Sequence, residues 1–215
     1  MQKIISSLPK VFKPEFPIFS NPLDMYLHIK QLTESNPKMT IHNFVGIIES
    51  ITRESILIET ELFPKDALLF YTNHNMGLVS YETAPELYKQ FYNNQRGGGQ
   101  GDYSCSFQEK FKNVADCLTN FSESKRAVLT MPYSKKLSQD VKHFDDEEQK
   151  CLRELHFFVE GECLHCTGFM RSQARIIFPK NVHFIGTVMI DLAEILKLRT
   201  GSYTHFITTL VDGRD

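Results

Sequence analysis

The sharpest alternation of apolar and polar positions runs from Cys151 to Arg171, CLRELHFFVEGECLHCTGFMR. Period-two patterning on both sides of Glu160-Gly161-Glu162 predicts a β-hairpin. With Gly161 at its centre, residue i pairs with residue 322 − i, and Cys151 lies opposite Arg171. A helical period appears elsewhere. Phe107, Phe111, Val114, Ala115 and Leu118 define an amphipathic helix over Ser106–Leu118. Ile185, Val188, Met189, Leu192, Ile195 and Leu196 mark a second, with Lys197 and Arg199 in its last turn and Gly201 just beyond.

Weaker signals fill the rest. Residues 1–22 are proline-rich and read as an extended arm. Asn21-Pro22 places an N-cap and a first-turn proline before a helix over Leu23–Thr33, which Pro37 ends. Ile47-Ile48, Ile56–Ile58, Leu68–Tyr71 and Leu78–Tyr81 read as short strands or buried segments. Pro85–Tyr92 reads as a short helix and Arg126–Met131 as a buried-type strand. Asn93–Ser106, with its GGGQG, reads as a mobile loop or lid, because it lacks the Lys-Ser/Thr of a phosphate-binding loop. Asp145–Glu148 is a charged surface turn, Ser172–Asn181 a loop, and Tyr203–Val211 a last strand. Together these elements predict one α+β domain with a mixed sheet over residues 23–215, following the arm.

Composition narrows the class. The 215 residues carry a formal charge of −2, which gives no global pull toward nucleic acid or membrane. No apolar run approaches the roughly 18–20 residues that span a bilayer, and the N-terminus does not read as a signal peptide. Five cysteines at irregular spacing predict reduced thiols in a cytoplasmic protein. Cys163, His165 and Cys166 fit core packing better than zinc. On a strand, Cys166 faces away from the other two, and a fourth ligand is lacking.

The hairpin carries the chemistry. A thiol beside a fixed guanidinium ionises more easily and becomes a better nucleophile, which is what covalent catalysis requires. From Cys151 to Asn181 the chain resembles the thymidylate synthase and deoxycytidylate hydroxymethylase family. There a nucleophilic Cys begins a strand, a hairpin follows, and an Arg-Ser pair opens the next loop before a Pro-x-Asn. Arg171-Ser172 stands at the Arg-Ser pair, and Pro179-Lys180-Asn181 resembles the Pro-Phe-Asn, one residue early. Lys125-Arg126-Ala127-Val128 resembles the family's basic pair leading into an apolar strand. Gly201-Ser202-Tyr203-Thr204-His205 resembles its Gly-Asp-Phe-x-His turn.

The resemblance implies a thymidylate synthase-like mixed β-sheet with packed helices. It also implies transfer of a one-carbon unit to C5 of a pyrimidine nucleotide or related heterocycle. Cys151 would add to C6, and Arg171 would hold the thiolate and the substrate phosphate. Ser172 would hydrogen-bond that phosphate, Asn181 would read a uracil-type base edge, and His205 would contact substrate. Lys125 and Arg126 would reach a neighbour's phosphate across a homodimer, and 5,10-methylenetetrahydrofolate would be the cofactor. The chain departs from the pattern in several places. Ala174 stands where the family has a folate-site Asp, and Ile207–Val211 lacks the sugar-binding His-x-Tyr. No long tail follows, and Asp66–Phe70 only faintly echoes the family's acid–base segment. These departures suit a specialised pathway. They leave open a repurposed protein that binds a nucleotide or partner without catalysis, and a folate-independent Cys enzyme acting on a non-nucleotide substrate.

Overall fold

The structure is a computed structural model and describes residues 16–35, 40–97, 101–131 and 150–213. It is an α+β fold whose mixed sheet takes the order β1-β2-β7-β5-β4-β3, with β6 also paired to β7. The strands are β1 (Ile18–Phe19), β2 (Ile41–Ile48), β3 (Val128–Thr130), β4 (Leu152–Glu160), β5 (Cys163–Met170), β6 (Gln173–Ala174) and β7 (Arg199–Val211). The helices are α1 (Pro22–Glu34), α2 (Lys65–Asn75), α3 (Pro85–Phe91), α4 (Phe107–Asn120) and α5 (Phe178–Leu196). Most of the expected arm, the Asp145–Glu148 turn, Pro37 and the middle of GGGQG lie outside the described residues.

β4 and β5 form the expected hairpin. Its turn is two residues, Gly161-Glu162, with Gly161 at φ 61. A glycine at the first central position is the type II′ preference that suits the twist of paired strands. Glu160 therefore pairs with Cys163 and Phe157 with Cys166, one residue off the expected register. The register shifts again between Leu152 and Glu154, so Leu152 faces Met170. This bulge at Arg153 restores the expected partnership. The Arg171 N–H donates to the Cys151 carbonyl at 2.8 Å.

β5 and β7 run parallel, joined by α5. Residues 178–186 of α5 are all buried, as are Val188, Met189, Ile190, Leu192 and Ala193. Among the described residues α5 is the one helix long and apolar enough to cross a bilayer, yet 83% of its apolar window is buried inside the protein. Its apolarity belongs to the main core, with Ile48, Leu129, Leu155, Leu164, Met170 and Ile207 from the sheet and Val114 and Leu118 from α4. A smaller cluster under α2 and α3 gathers Phe63, Leu68, Phe70, Tyr71 and Phe91.

Several expectations are corrected. Leu68–Tyr71 is buried in part but lies inside α2, Ile56–Ile58 is a buried segment with Ile56 and Ile58 in the core rather than a strand, and Leu78–Tyr81 is neither strand nor buried. α5 starts seven residues before Ile185, so Asn181 sits in its first turns rather than in a loop. Lys197 in left-handed geometry (φ 57) ends that helix, while Arg199 and Gly201 belong to β7. The Gly201–His205 segment is thus strand, not turn.

Candidate active site at the open end of the hairpin

Cys151 and Arg171, both half-buried, meet where β4 begins and β5 ends. Thr208 of β7 donates its hydroxyl to the Arg171 carbonyl, fixing the hairpin end to the neighbouring strand. Tyr103, 1% exposed, closes the inner side. Its hydroxyl accepts from the Leu152 N–H at 3.4 Å, and its ring stacks on Phe184 of α5 at 5.6 Å. Burial pushes the Tyr103 hydroxyl far up. Charge on Cys151 pushes the same way, and the Arg171 guanidinium pulls back. Tyr103 therefore lies within the field of both members of the pair.

Ser172 follows Arg171, half-buried, and its hydroxyl makes no hydrogen bond among the described residues. Gln173 then turns inward, and its Oε1 accepts from Asn181 Nδ2 at 2.8 Å. Asn181 is 2% exposed, and its Oδ1 has no partner among the described residues. Buried polar atoms are normally paired, so an orphan acceptor marks a position where a donor fits. Asn75 of α2 repeats the pattern: its Oδ1 accepts from the Tyr103 N–H at 3.1 Å, while its buried Nδ2 is unpaired.

His205 is fully buried in β7. Its Nδ1 is hydrogen-bonded to the Tyr203 hydroxyl, Phe178 meets its ring edge-on at 5.5 Å, and Nε2 has no partner among the described residues. Burial pushes its pKa down to about 3, so the imidazole is neutral. Lys125 and Arg126 are exposed elsewhere, on the segment between α4 and β3. They line an open depression of about 930 Å³ with Asn120, Phe121 and Ser124. Within this one chain, no contact among the described residues joins them to the Cys151 group.

Three features were not read from the sequence. Lys180 is 1% exposed, with Nζ 3.5 Å from the Gly101 carbonyl and 4.9 Å from the Tyr71 ring centroid. A Cβ at Gly97 or Gly101 would stand 2.4 or 2.2 Å from that nitrogen, so the glycine-rich segment is shaped around a lysine. His183 of α5 lies 2.6 Å from the Thr72 hydroxyl of α2, and burial lowers its pKa to about 4. Asp102, beside Tyr103, faces His74 at 3.3 Å. Lys180 and Asp102 stand in the Pro-Lys-Asn and Gly-Asp-Tyr strings, but only tertiary contacts supply their partners and that of His183.

On β5, Cys163 and His165 are half-buried while Cys166 points into the core, as strand alternation requires. Burial raises the Cys166 thiol pKa. His165 is engaged by Ser202, through both its N–H at 3.0 Å and its hydroxyl at 2.9 Å.

Compared with known proteins, the chain matches no protein-family model and no curated sequence.

Proposed function

We propose that the chain is a thymidylate synthase-like transferase that moves a one-carbon unit to C5 of a pyrimidine nucleotide or related heterocycle, with Cys151 as nucleophile. The Cys151–Arg171 pairing, kept in place by the Arg153 bulge and backed by Tyr103, carries this reading. C5 of a pyrimidine is a poor nucleophile. Addition of the Cys151 thiolate across C5=C6 forms an S–C6 bond and shifts the electron pair toward C5 and the C4 carbonyl. C5 then attacks an electrophilic one-carbon donor at the aldehyde oxidation level, whose C=O or C=N π pair moves onto the heteroatom and takes up a proton; C5 loses its own proton, and the C6 proton stays in place. Expulsion of the thiolate restores the double bond.

Arg171 and Ser172 supply a guanidinium and a hydroxyl for the substrate phosphate. The unpaired Oδ1 of Asn181 offers an acceptor to a base N–H. His205 presents a neutral Nε2 on the same reading.

A reduced folate would supply the carbon at the methylene oxidation level. Position 174 does not fit it. A methyl group stands there, on β6 paired with Val211, where the family has a carboxylate. 5,10-Methylenetetrahydrofolate therefore lacks its carboxylate partner at this position. Ala174 favours a second reading, in which the Cys-Arg pair acts without folate.

A homodimer is part of the proposal. The helices cover one face of the sheet, and the other carries a half-exposed row of Val45, Phe206 and Phe169 beside a row of Ile47, Thr204 and Thr167. A second copy of the chain is the occupant proposed for this half-exposed face, through an isologous contact. The five free cysteines suit a reducing, cytoplasmic setting.

The test is mass spectrometry after incubation with 5-fluoro-dUMP, with and without methylenetetrahydrofolate. A covalent adduct on Cys151 that disappears in Cys151→Ala supports the transferase. Absence of binding to any pyrimidine nucleotide sinks it. Binding that Cys151→Ala leaves unchanged favours a non-catalytic binder.

A further inference from the structure

The depression of about 930 Å³ at the α4–β3 connection belongs to none of the chemistry at Cys151. Its volume falls among those of small-molecule sites, about 300–1,000 Å³. One short stretch builds it, and that stretch is held by its own hydrogen bonds. The Phe121 N–H donates to the Cys117 carbonyl at 2.9 Å, and the Ser124 N–H donates to the Phe121 carbonyl at 2.9 Å. The Cys117 thiol donates to the Ser124 hydroxyl oxygen at 3.2 Å, and the Arg126 N–H donates to the same oxygen at 3.1 Å.

Those last two bonds use both lone pairs of the Ser124 oxygen. Its proton is left to donate, and it meets no acceptor among the described residues. Lys125 and Arg126 line the same depression, and neither side chain forms an ion pair with a described residue. Two carboxylates also line it. Asp116 is held by Lys112 at 2.7 Å, which leaves Glu123 as the one carboxylate there without a cation among the described residues. Phe121 is 72% exposed, more than any other large apolar side chain among the described residues. An open phenyl ring thus shares a preformed hollow with three free donors, two of them cationic.

We propose that this depression binds a small organic anion carried on a flat ring, of the aryl phosphate class. The ring lies against Phe121, and the anion takes the Ser124 O–H, the Lys125 ammonium and the Arg126 guanidinium. Glu123 opposes the anion and limits affinity. Both halves are needed, because an exposed cation pair alone holds an ion weakly in water. The fixed turn lowers the ordering cost of binding. The site is built within one chain and does not depend on the transferase reading.

Phenyl phosphate is titrated into the full chain and followed by amide proton–nitrogen NMR spectra. Inorganic phosphate supplies the charge without the ring, and benzyl alcohol the ring without the charge. Saturable shifts centred on residues 117–126 are expected, with either control at least about tenfold weaker. Phe121→Ser should reduce phenyl phosphate to the level of inorganic phosphate. Arg126→Gln should weaken it about five- to tenfold, and Glu123→Gln should strengthen it about two- to threefold. Circular dichroism confirms the fold of each variant. Folded Phe206→Asp, altered on the open sheet face, should keep wild-type affinity; loss there would give these cations to a neighbour's site and overturns the proposal. No saturable shift, shifts confined to Arg171 and Ser172, equal binding of inorganic phosphate, or wild-type affinity in folded Phe121→Ser and Arg126→Gln overturns it as well.

Discussion

Acid should destabilise this fold through two buried imidazoles. His183 is 4% exposed and His205 is fully buried, and burial lowers their pKa values from 6.5 to about 4 and about 3. In the unfolded chain both titrate near 6.5. Below that pH the unfolded state binds protons that the folded state refuses, so stability falls as pH drops toward the folded pKa values. Each unit of difference is worth about 1.4 kcal/mol. At pH 4.5 the two groups together therefore cost roughly 5 kcal/mol relative to pH 8. That is comparable to the whole stability of many domains, about 5–15 kcal/mol. The assay is urea unfolding, followed by far-UV circular dichroism, from pH 7.5 to 4.5. Asparagine places an amide atom near Nδ1 and does not titrate. His183→Asn can thus keep a bond to Thr72, and His205→Asn a bond to Tyr203. Each substitution should flatten the slope of stability against pH by about one proton's worth, roughly 1.4 kcal/mol per pH unit. If the double variant keeps the wild-type slope between pH 6 and 4.5, these histidines are not the source and the reasoning fails.

Other perturbations have equally definite outcomes. Gly97→Ala and Gly101→Ala each drive a methyl group into the Lys180 ammonium and should destabilise by about 1–3 kcal/mol in urea unfolding, with Gly97 worse because its φ is 122. Arg175 clamps Asp212 at 2.6 Å, and Thr33 donates to the same carboxylate oxygen, tying α1 to the end of β7. Asp212→Asn should lower the melting temperature by a few degrees, equivalent to about 1 kcal/mol. Its carboxyl is held below the usual range first by Arg175, so this contribution is present above the unfolded Asp pKa and disappears as pH falls through the folded one. Phe206→Asp puts a charge in the open sheet face and should leave a monomer by sedimentation velocity; an intact dimer would remove that face as the interface.

Local signals explain what was legible. The hairpin was readable because alternation and a turn glycine agree. Its register differs by one from a turn centred on Gly161 because Glu162 shares the turn, and the Arg153 bulge returns Cys151 to Arg171. α1 was readable from Asn21, whose Oδ1 accepts the Asp24 N–H at 3.1 Å. α2 and the start of α5 are obscured for the opposite reason. Pro64 and Ile177 give no side-chain cap, and the Lys65 N–H is instead met by Glu59. A short apolar run such as Leu68–Tyr71 carries no period that separates a strand from a buried helix. The seat of Lys180 was invisible because residues about eighty positions upstream build it.

The first turns of α5 constrain how any phosphorylated substrate is held. Helix N-termini commonly bind phosphate through free N–H groups and the dipole. Here residues 178–186 are all buried, and the protein itself occupies that end. Lys180 reaches the Gly101 carbonyl, Asn181 holds Gln173, His183 meets Thr72, and Phe184 stacks on Tyr103. A cation at this end opposes the helix dipole, and the Gly101 carbonyl and the Tyr71 ring beside it work against that repulsion. The same turns therefore serve as a brace for the segments that flank Cys151 and Arg171, and they leave no free helix end for an anion. On the transferase reading, a substrate phosphate must be met by the half-buried Arg171 and Ser172. Arg171→Lys, which keeps the charge but loses the planar fork, should then raise KM for a nucleotide far more than for its nucleoside. Equal effects on the two would place the phosphate elsewhere.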